Sequence, residues 1–158
     1  MNADARVAGA PGGEARGHGP GETSPSPERA AQRLTGPALR FDLAAELEGL
    51  RGEPAWARFD RNAKTLAKDG GVRVVLTTLK RGATLDEHRV SAPVVVQTLQ
   101  GHLRLHLSEP EEVALDLPVG HLAVLQPGIG HRVEALEESA LLLTVAGGSG
   151  EGVQAEAR

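Results

Sequence analysis

Two of the six histidines in this 158-residue chain, His88 and His131, stand where a side chain can do chemistry. His88 follows an apolar stretch and a glycine, and His131 follows the turn Pro127-Gly128-Ile129-Gly130, which leads into a predicted strand. A neutral imidazole binds divalent metals, and it also offers one hydrogen-bond donor and one acceptor. The pair therefore predicts either a metal centre or a polar contact for a small molecule.

The other four histidines lack such a context. His102 and His106 alternate with leucines on a predicted strand, and they stand about 13 Å apart, too far to share one metal ion. His121 begins a strand beside a turn, and His18 lies in a segment with almost no core-forming residues. We expect all four to be solvated.

Composition excludes several classes of function. The chain has no cysteine and no tyrosine, one tryptophan, two phenylalanines and a net charge of −4. Disulfides, thiolate sites and aromatic platforms for single-stranded nucleic acid are therefore excluded, and no basic face predicts a nucleic-acid partner. Because no apolar run approaches the ~20 residues of a membrane span and no secretory signal is evident, we expect no membrane partner and a cytoplasmic location.

The chain divides into four parts. Residues 1–37 hold 7 of the 20 glycines and 5 of the 10 prolines, so we expect a disordered tail. Residues 38–60 are predicted to form a helix and a linker, with the helix over 42–51 and Asp42 as its N-cap. Residues 61–147 are predicted to form a β-barrel, and residues 148–158 a flexible tail.

The third part has the pattern of an all-β fold. Seven or eight apolar or alternating stretches occur in about 85 residues, with turn signals every 8–12 residues, as in sandwiches and barrels. No alternation of strands with helices appears, so an α/β fold is disfavoured.

Six residues of this part resemble the two sequence motifs of the cupin superfamily. The first motif is matched by a glycine, a histidine and a closing glycine, and the second by two glycines and a histidine: Gly82, His88, Gly101, Gly120, Gly128 and His131. The resemblance implies a single cupin-type barrel (a double-stranded β-helix or jelly roll) of a small single-domain member. Since barrels of that family often pair, it also implies a homodimer.

The same resemblance implies a metal site, and here the chain departs from the pattern. In metal-binding cupins, two histidines and a glutamate of the first motif and the histidine of the second motif hold one divalent ion. These positions are His88, Val90, Val94 and His131, and Ala135 replaces the asparagine that ends the second motif. Because valine cannot coordinate, an Fe, Mn, Ni or Zn ion would depend on His88 and His131 alone.

Three functional hypotheses remain open, and whether the chain is an enzyme is not decided. The first is a non-catalytic or sensory barrel that binds a small molecule in an apolar pocket; the predicted lining is His88, Val90, Val94, Val96, Thr98, His131 and Val133. The second is a divalent-metal-dependent oxygenase or isomerase that uses His88, His131 and a replacement ligand. The third is an interaction protein with an empty barrel.

Overall fold

The computed structural model describes residues 32–33 and 36–147. The two predicted tails, and His18 with them, lie outside these residues, apart from four positions near the end of the first tail. The described chain forms two helices, α1 (Leu43–Gly52) and α2 (Pro54–Arg58), followed by nine strands. The strands are β1 (Arg61–Asp69), β2 (Val72–Leu79), β3 (Thr84–His88), β4 (Val94–Gln100), β5 (His102–Leu107), β6 (Val113–Pro118), β7 (Leu122–Leu125), β8 (His131–Ala135) and β9 (Ser139–Ala146).

The nine strands form two antiparallel sheets. One has five strands in the order β1-β2-β9-β4-β7, and the other has four in the order β3-β8-β5-β6. The inward residues of both sheets form one apolar core, for example Val94 and Val96 from the larger sheet and Leu103, Leu105 and Val133 from the smaller one. The all-β prediction is therefore confirmed.

Helix α1 covers the outer face of the larger sheet. The side chain of Asp42 accepts hydrogen bonds from the main-chain N–H groups of Ala44 and Ala45, so the predicted N-cap is confirmed. Leu47 and Leu50 are buried in a second apolar cluster with residues of β1, β2 and β9, namely Leu66, Leu76 and Ala140. The apolar face of helix α1 therefore packs against the sheet of its own chain.

The turn from β4 to β5 shows why a glycine closes the first motif. Gly101 has φ +76°, and a Cβ atom there would lie 2.3 Å from the main-chain oxygen of Glu138. Any other residue would be strained by its backbone and would collide with the start of β9. This glycine is a requirement of the turn.

One element at the beginning of the domain was not predicted: the short helix α2, which follows α1 in the chain and precedes β1. Strand β1 begins at Arg61, as the predicted bounds of the β-region have it, and it is an edge strand with a bulge between Thr65 and Ala67. Gln32 forms an isolated parallel bridge with Ala67, so a residue of the predicted tail lies on the free edge of β1.

No helix in the described ranges is long and apolar enough to cross a membrane. The structure describes one chain, and the homodimer stays a prediction.

Candidate ligand site at the histidine pair

Strands β3 and β8 bring His88 and His131 side by side. The two residues are cross-strand partners in the antiparallel pair, after a register shift between Leu85 and His88. Their ring centroids are 4.2 Å apart, and the ring planes are inclined by 58°. Two residues that are far apart in the sequence are therefore direct neighbours in the fold.

The two rings differ in their exposure. His131 is 1% exposed and shares the inward face of β8 with Val133, whereas His88 is only partly buried. Burial lowers the pKa of His131 below its ordinary value, and the charge of His88 adds to this. The hydrogen bond to Ile129 and the charge of Glu87 act in the opposite direction. The net direction favours a neutral His131 imidazole at neutral pH.

Each histidine is oriented by a main-chain carbonyl two residues before it. Nδ1 of His131 lies 3.0 Å from the oxygen of Ile129. Nδ1 of His88 lies 3.0 Å from the oxygen of Asp86. A carbonyl oxygen only accepts, so in both contacts the ring nitrogen carries the hydrogen and donates it.

The other nitrogen of His131, Nε2, is fully buried, and no group in the described residues forms a hydrogen bond with it. A buried polar atom without a partner costs about 1–3 kcal/mol, so an unsatisfied group of this kind requires an explanation. A bound molecule that reaches the atom is one such explanation.

Apolar residues occupy the two remaining ligand positions of the motifs. Val90 is 5% exposed and Val94 is 1% exposed, and both belong to the core cluster that also contains Val133. The main-chain oxygen of Val90 accepts a hydrogen bond of 2.7 Å from the N–H of Gly128, which fixes this valine against the loop before His131. The described residues contain no group of three or more histidine, aspartate or glutamate side chains that could hold a metal ion. The residues present therefore do not fit the metal centre implied by the motif resemblance.

A polar cluster beside the pair was not predicted. The guanidinium of Arg89 donates to Glu109 at 2.8 Å and to the main-chain oxygen of Gly128 at 3.0 Å. It thereby links the segment after β3 to the β5–β6 and β7–β8 loops. A Cβ atom at Gly130 would lie 2.9 Å from the Glu87 carboxylate and 3.1 Å from the Arg89 guanidinium, so the absence of a side chain lets both approach. Sequence spacing carries no sign of contacts that span 20 and 39 residues.

The remaining predicted lining residues are buried, although not all lie beside the histidines. Val96 and Thr98 alternate inward with Val94 along β4, as expected. Thr98 stands four residues from Val94, which is about 13 Å along a strand. Its hydroxyl donates to the main-chain oxygen of Leu117 at 2.9 Å. This hydroxyl is therefore engaged within the fold, far from the pair.

The histidines outside the pair divide into two kinds. His121 is exposed, as expected. His106 is half-buried on the outer face of the smaller sheet, with its Nε2 atom 2.9 Å from the carboxylate of Glu134. His102 is also partly buried, and its Nε2 atom has no partner among the described residues. Among the described histidines outside the pair, His121 is therefore solvated as expected, whereas strand neighbours partly cover His102 and His106 on the sheet surface.

Several solved structures with a similar fold are cupin proteins. A cupin-2 domain-containing protein from Shewanella frigidimarina matches with a TM-score of 0.53 at 13% identity, over 68% of this chain and 94% of that one. A cupin superfamily protein from Desulfitobacterium hafniense matches with a TM-score of 0.51 at 15% identity, over 54% and 76% of the two chains. These likenesses show the fold.

A mutant oxalate decarboxylase from Bacillus subtilis is also similar. It matches with a TM-score of 0.51 at 22% identity, and the match covers 61% of this chain but only 27% of the decarboxylase. Another structure of that decarboxylase concerns its Mn(II) centres. No protein-family model and no curated protein matches the sequence.

Proposed function

We propose that this chain, which has the cupin fold, binds a small, largely apolar molecule beside His131 and does so without catalysis. The observation that carries the proposal is the Nε2 atom of His131, which is buried and lacks a partner in the described structure. Binding sites for small molecules combine apolar walls with a few polar groups that fix orientation. A single unsatisfied imidazole nitrogen in an apolar core has this character.

The proposed walls of the site are three buried valines: Val94 of the larger sheet, Val133 of the smaller sheet, and Val90 in the segment between β3 and β4. Val90 and Val94 stand where metal-binding cupins carry a histidine and a glutamate, and Val133 lies on the face of His131. Apolar surface of a ligand that is buried against these walls contributes about 25 cal/mol per Å² to binding. Burial of a charged group there is unfavourable. The walls therefore support an uncharged ligand.

The alternative is a divalent-metal-dependent oxygenase or isomerase. It is supported by the cupin fold and by the Mn(II) centres of one structural neighbour. Against it stand the described residues, which offer two imidazoles and no carboxylate grouped with them. We therefore favour the binding function and assign no catalytic step to the pair.

A thermal-shift screen of the full chain tests the proposal. A library of uncharged compounds is compared on the wild-type protein, on His131→Phe and on His121→Phe, which removes an exposed histidine as the matched control. We expect hits that raise the Tm of the wild type and of His121→Phe, with the shift lost in His131→Phe. Hits that stabilise all three proteins equally, or a screen without hits, would refute the site.

A further inference from the structure

We infer that the ligand of this site is an uncharged hydrogen-bond donor, an alcohol or phenol in its simplest form, whose hydroxyl group points at the histidine pair. The inference rests on the proposed function and narrows it to one chemical class. It follows from which ring nitrogens of the pair carry hydrogen.

The donor of His131 is already used. A neutral imidazole has one N–H group, and the carbonyl of Ile129, 3.0 Å from Nδ1, accepts that hydrogen. The Nε2 atom is therefore a lone-pair acceptor. It is also the buried atom without a partner.

His88 is oriented in the same way, since its Nδ1 atom donates to the carbonyl of Asp86 at 3.0 Å. Its ring centroid is only 4.2 Å from that of His131, yet no described group, His88 included, forms a hydrogen bond with Nε2 of His131. The lone pair of His131 therefore requires a molecule that brings a donor.

The neighbouring cation is held by other partners. The Nη1 atom of Arg89 donates to the Glu109 carboxylate and to the main-chain oxygen of Gly128. A carbonyl compound or a carboxylate would place an oxygen lone pair against the lone pair of His131 Nε2. An ammonium group would bring donors, but its charge would be buried beside a residue that is 1% exposed, which is costly. The class that remains is an uncharged donor with an apolar body.

The first experiment reads the ring nitrogens directly. In full-length protein labelled with ¹⁵N-histidine at pH 7.5, long-range proton–nitrogen spectra assign the protonated nitrogen of each ring. We expect His131 to carry its hydrogen on Nδ1 and none on Nε2. An Nε2–H form of His131 overturns the inference whichever compounds bind, and it leaves the proposed binding function standing. The measurement reads the wild-type chain, and the resonances are assigned by comparison with His131→Phe and His88→Phe.

The second experiment compares four compounds that share one ring: phenol, anisole, toluene and benzoate. Binding to the wild-type chain is measured by titration calorimetry at pH 7.5, where phenol is neutral. We expect phenol to bind about tenfold more tightly than anisole or toluene, as one buried hydrogen bond implies, and benzoate to bind least. In His131→Phe the preference for phenol should shrink to less than about twofold, and in His121→Phe it should persist.

The outcomes separate the two claims. Equal binding of phenol, anisole and toluene would refute the donor inference but retain an apolar site. Preferential binding of benzoate would refute it as well, since it shows a cation or donor at the pair. If none of the four binds at millimolar concentration and the thermal-shift screen gives no hits, the proposed function fails together with the inference.

Discussion

The main-chain oxygen of Ile129 lies 3.0 Å from Nδ1 of His131, within the same turn that carries the chain into β8. This contact fixes the ring of a residue that is 1% exposed. It also engages the single N–H group of a neutral imidazole. Burial disfavours the charged form, so the pKa of His131 lies below its ordinary value of 6.5. A dependence of stability on pH follows.

We expect the free energy of unfolding to fall as pH decreases below about 6.5, with a contribution from His131 of at most ~1.4 kcal/mol per pH unit. The unfolded chain takes up a proton at His131 in this range, whereas the folded chain resists it until the lower pKa is reached. The stabilisation is therefore complete above the unfolded pKa and is lost as pH falls through the folded one. Urea unfolding at half-unit steps between pH 5 and 8 measures it.

His131→Phe should flatten this part of the pH profile, because the residue that stays neutral in the fold is gone. His121→Phe, which removes an exposed histidine, is expected to retain the slope. Identical slopes in the wild type and in His131→Phe would show that burial does not hold this ring neutral.

The two valines of the first motif lead to a prediction about metal. We expect the double variant Val90→His, Val94→Glu to bind one divalent ion per chain, because it adds an imidazole and a carboxylate to His88 and His131. Wild-type protein purified without a chelator or a histidine tag should hold metal near background. Elemental analysis after incubation with Mn²⁺ or Zn²⁺ and desalting measures both.

A second double variant, Val113→His with Val124→Glu, is the control, since both valines are exposed and lie on other strands. It adds the same side chains without placing them near the pair and should stay at background. Near-stoichiometric metal in the wild type that disappears in His131→Ala would instead support the metal-dependent enzyme. A double variant of Val90 and Val94 without metal would refute the assignment of these ligand positions.

The resemblance to the two cupin motifs singled out the histidine pair. The structure places His88 and His131 on paired strands, and the glycines of the motifs lie at turns, Gly101 most clearly. Alternation along β4 likewise predicted that Val94, Val96 and Thr98 are buried. Periodicity and turn chemistry are local properties, so the sequence carries them directly.

Features that depend on contacts between distant residues could not be predicted from the sequence in the same way. Strand β1 is polar along most of its length because it forms a sheet edge, so its sequence, RNAKTLAKD, shows little alternation. The link from Arg89 to Glu109 joins separate loops. In each ring, the carbonyl oxygen two residues earlier accepts a hydrogen bond from Nδ1. The direction in which that carbonyl points cannot be read from a pattern of residue types.

Docking of α1 on the sheet predicts a large effect of one substitution. Leu50 is fully buried between the helix and the sheet, in the cluster with Leu66 and Leu76. We expect Leu50→Ala to reduce the free energy of unfolding by about 2–5 kcal/mol, from lost burial and a cavity. The control Leu122→Ala, at a side chain 53% exposed, should change it by less than about 0.5 kcal/mol. Equal effects in chemical unfolding would show that the helix does not stabilise the domain.

The bridge from Gln32 to β1 leads to a prediction about deletions within residues 1–37, the predicted disordered tail. The N–H of Gln32 donates to the oxygen of Leu66 at 3.3 Å, and its oxygen accepts from the N–H of Lys68 at 3.1 Å. We expect deletion of residues 1–31 to leave Tm unchanged. Deletion of residues 1–37 should keep the fold but lower Tm by about 5 °C, because two exposed main-chain hydrogen bonds worth about 0.5 kcal/mol each correspond to a shift of this size.

The comparison of the two deletions isolates the bridge, since they differ by six residues that include Gln32. Both are measured by calorimetry beside the full chain. A drop of more than about 10 °C on deletion of residues 1–37 would show that this short segment holds the edge of β1 in place, rather than merely lying on it. A marked drop on deletion of residues 1–31 would contradict the predicted tail, because a segment with so few core-forming residues offers little apolar surface to bury.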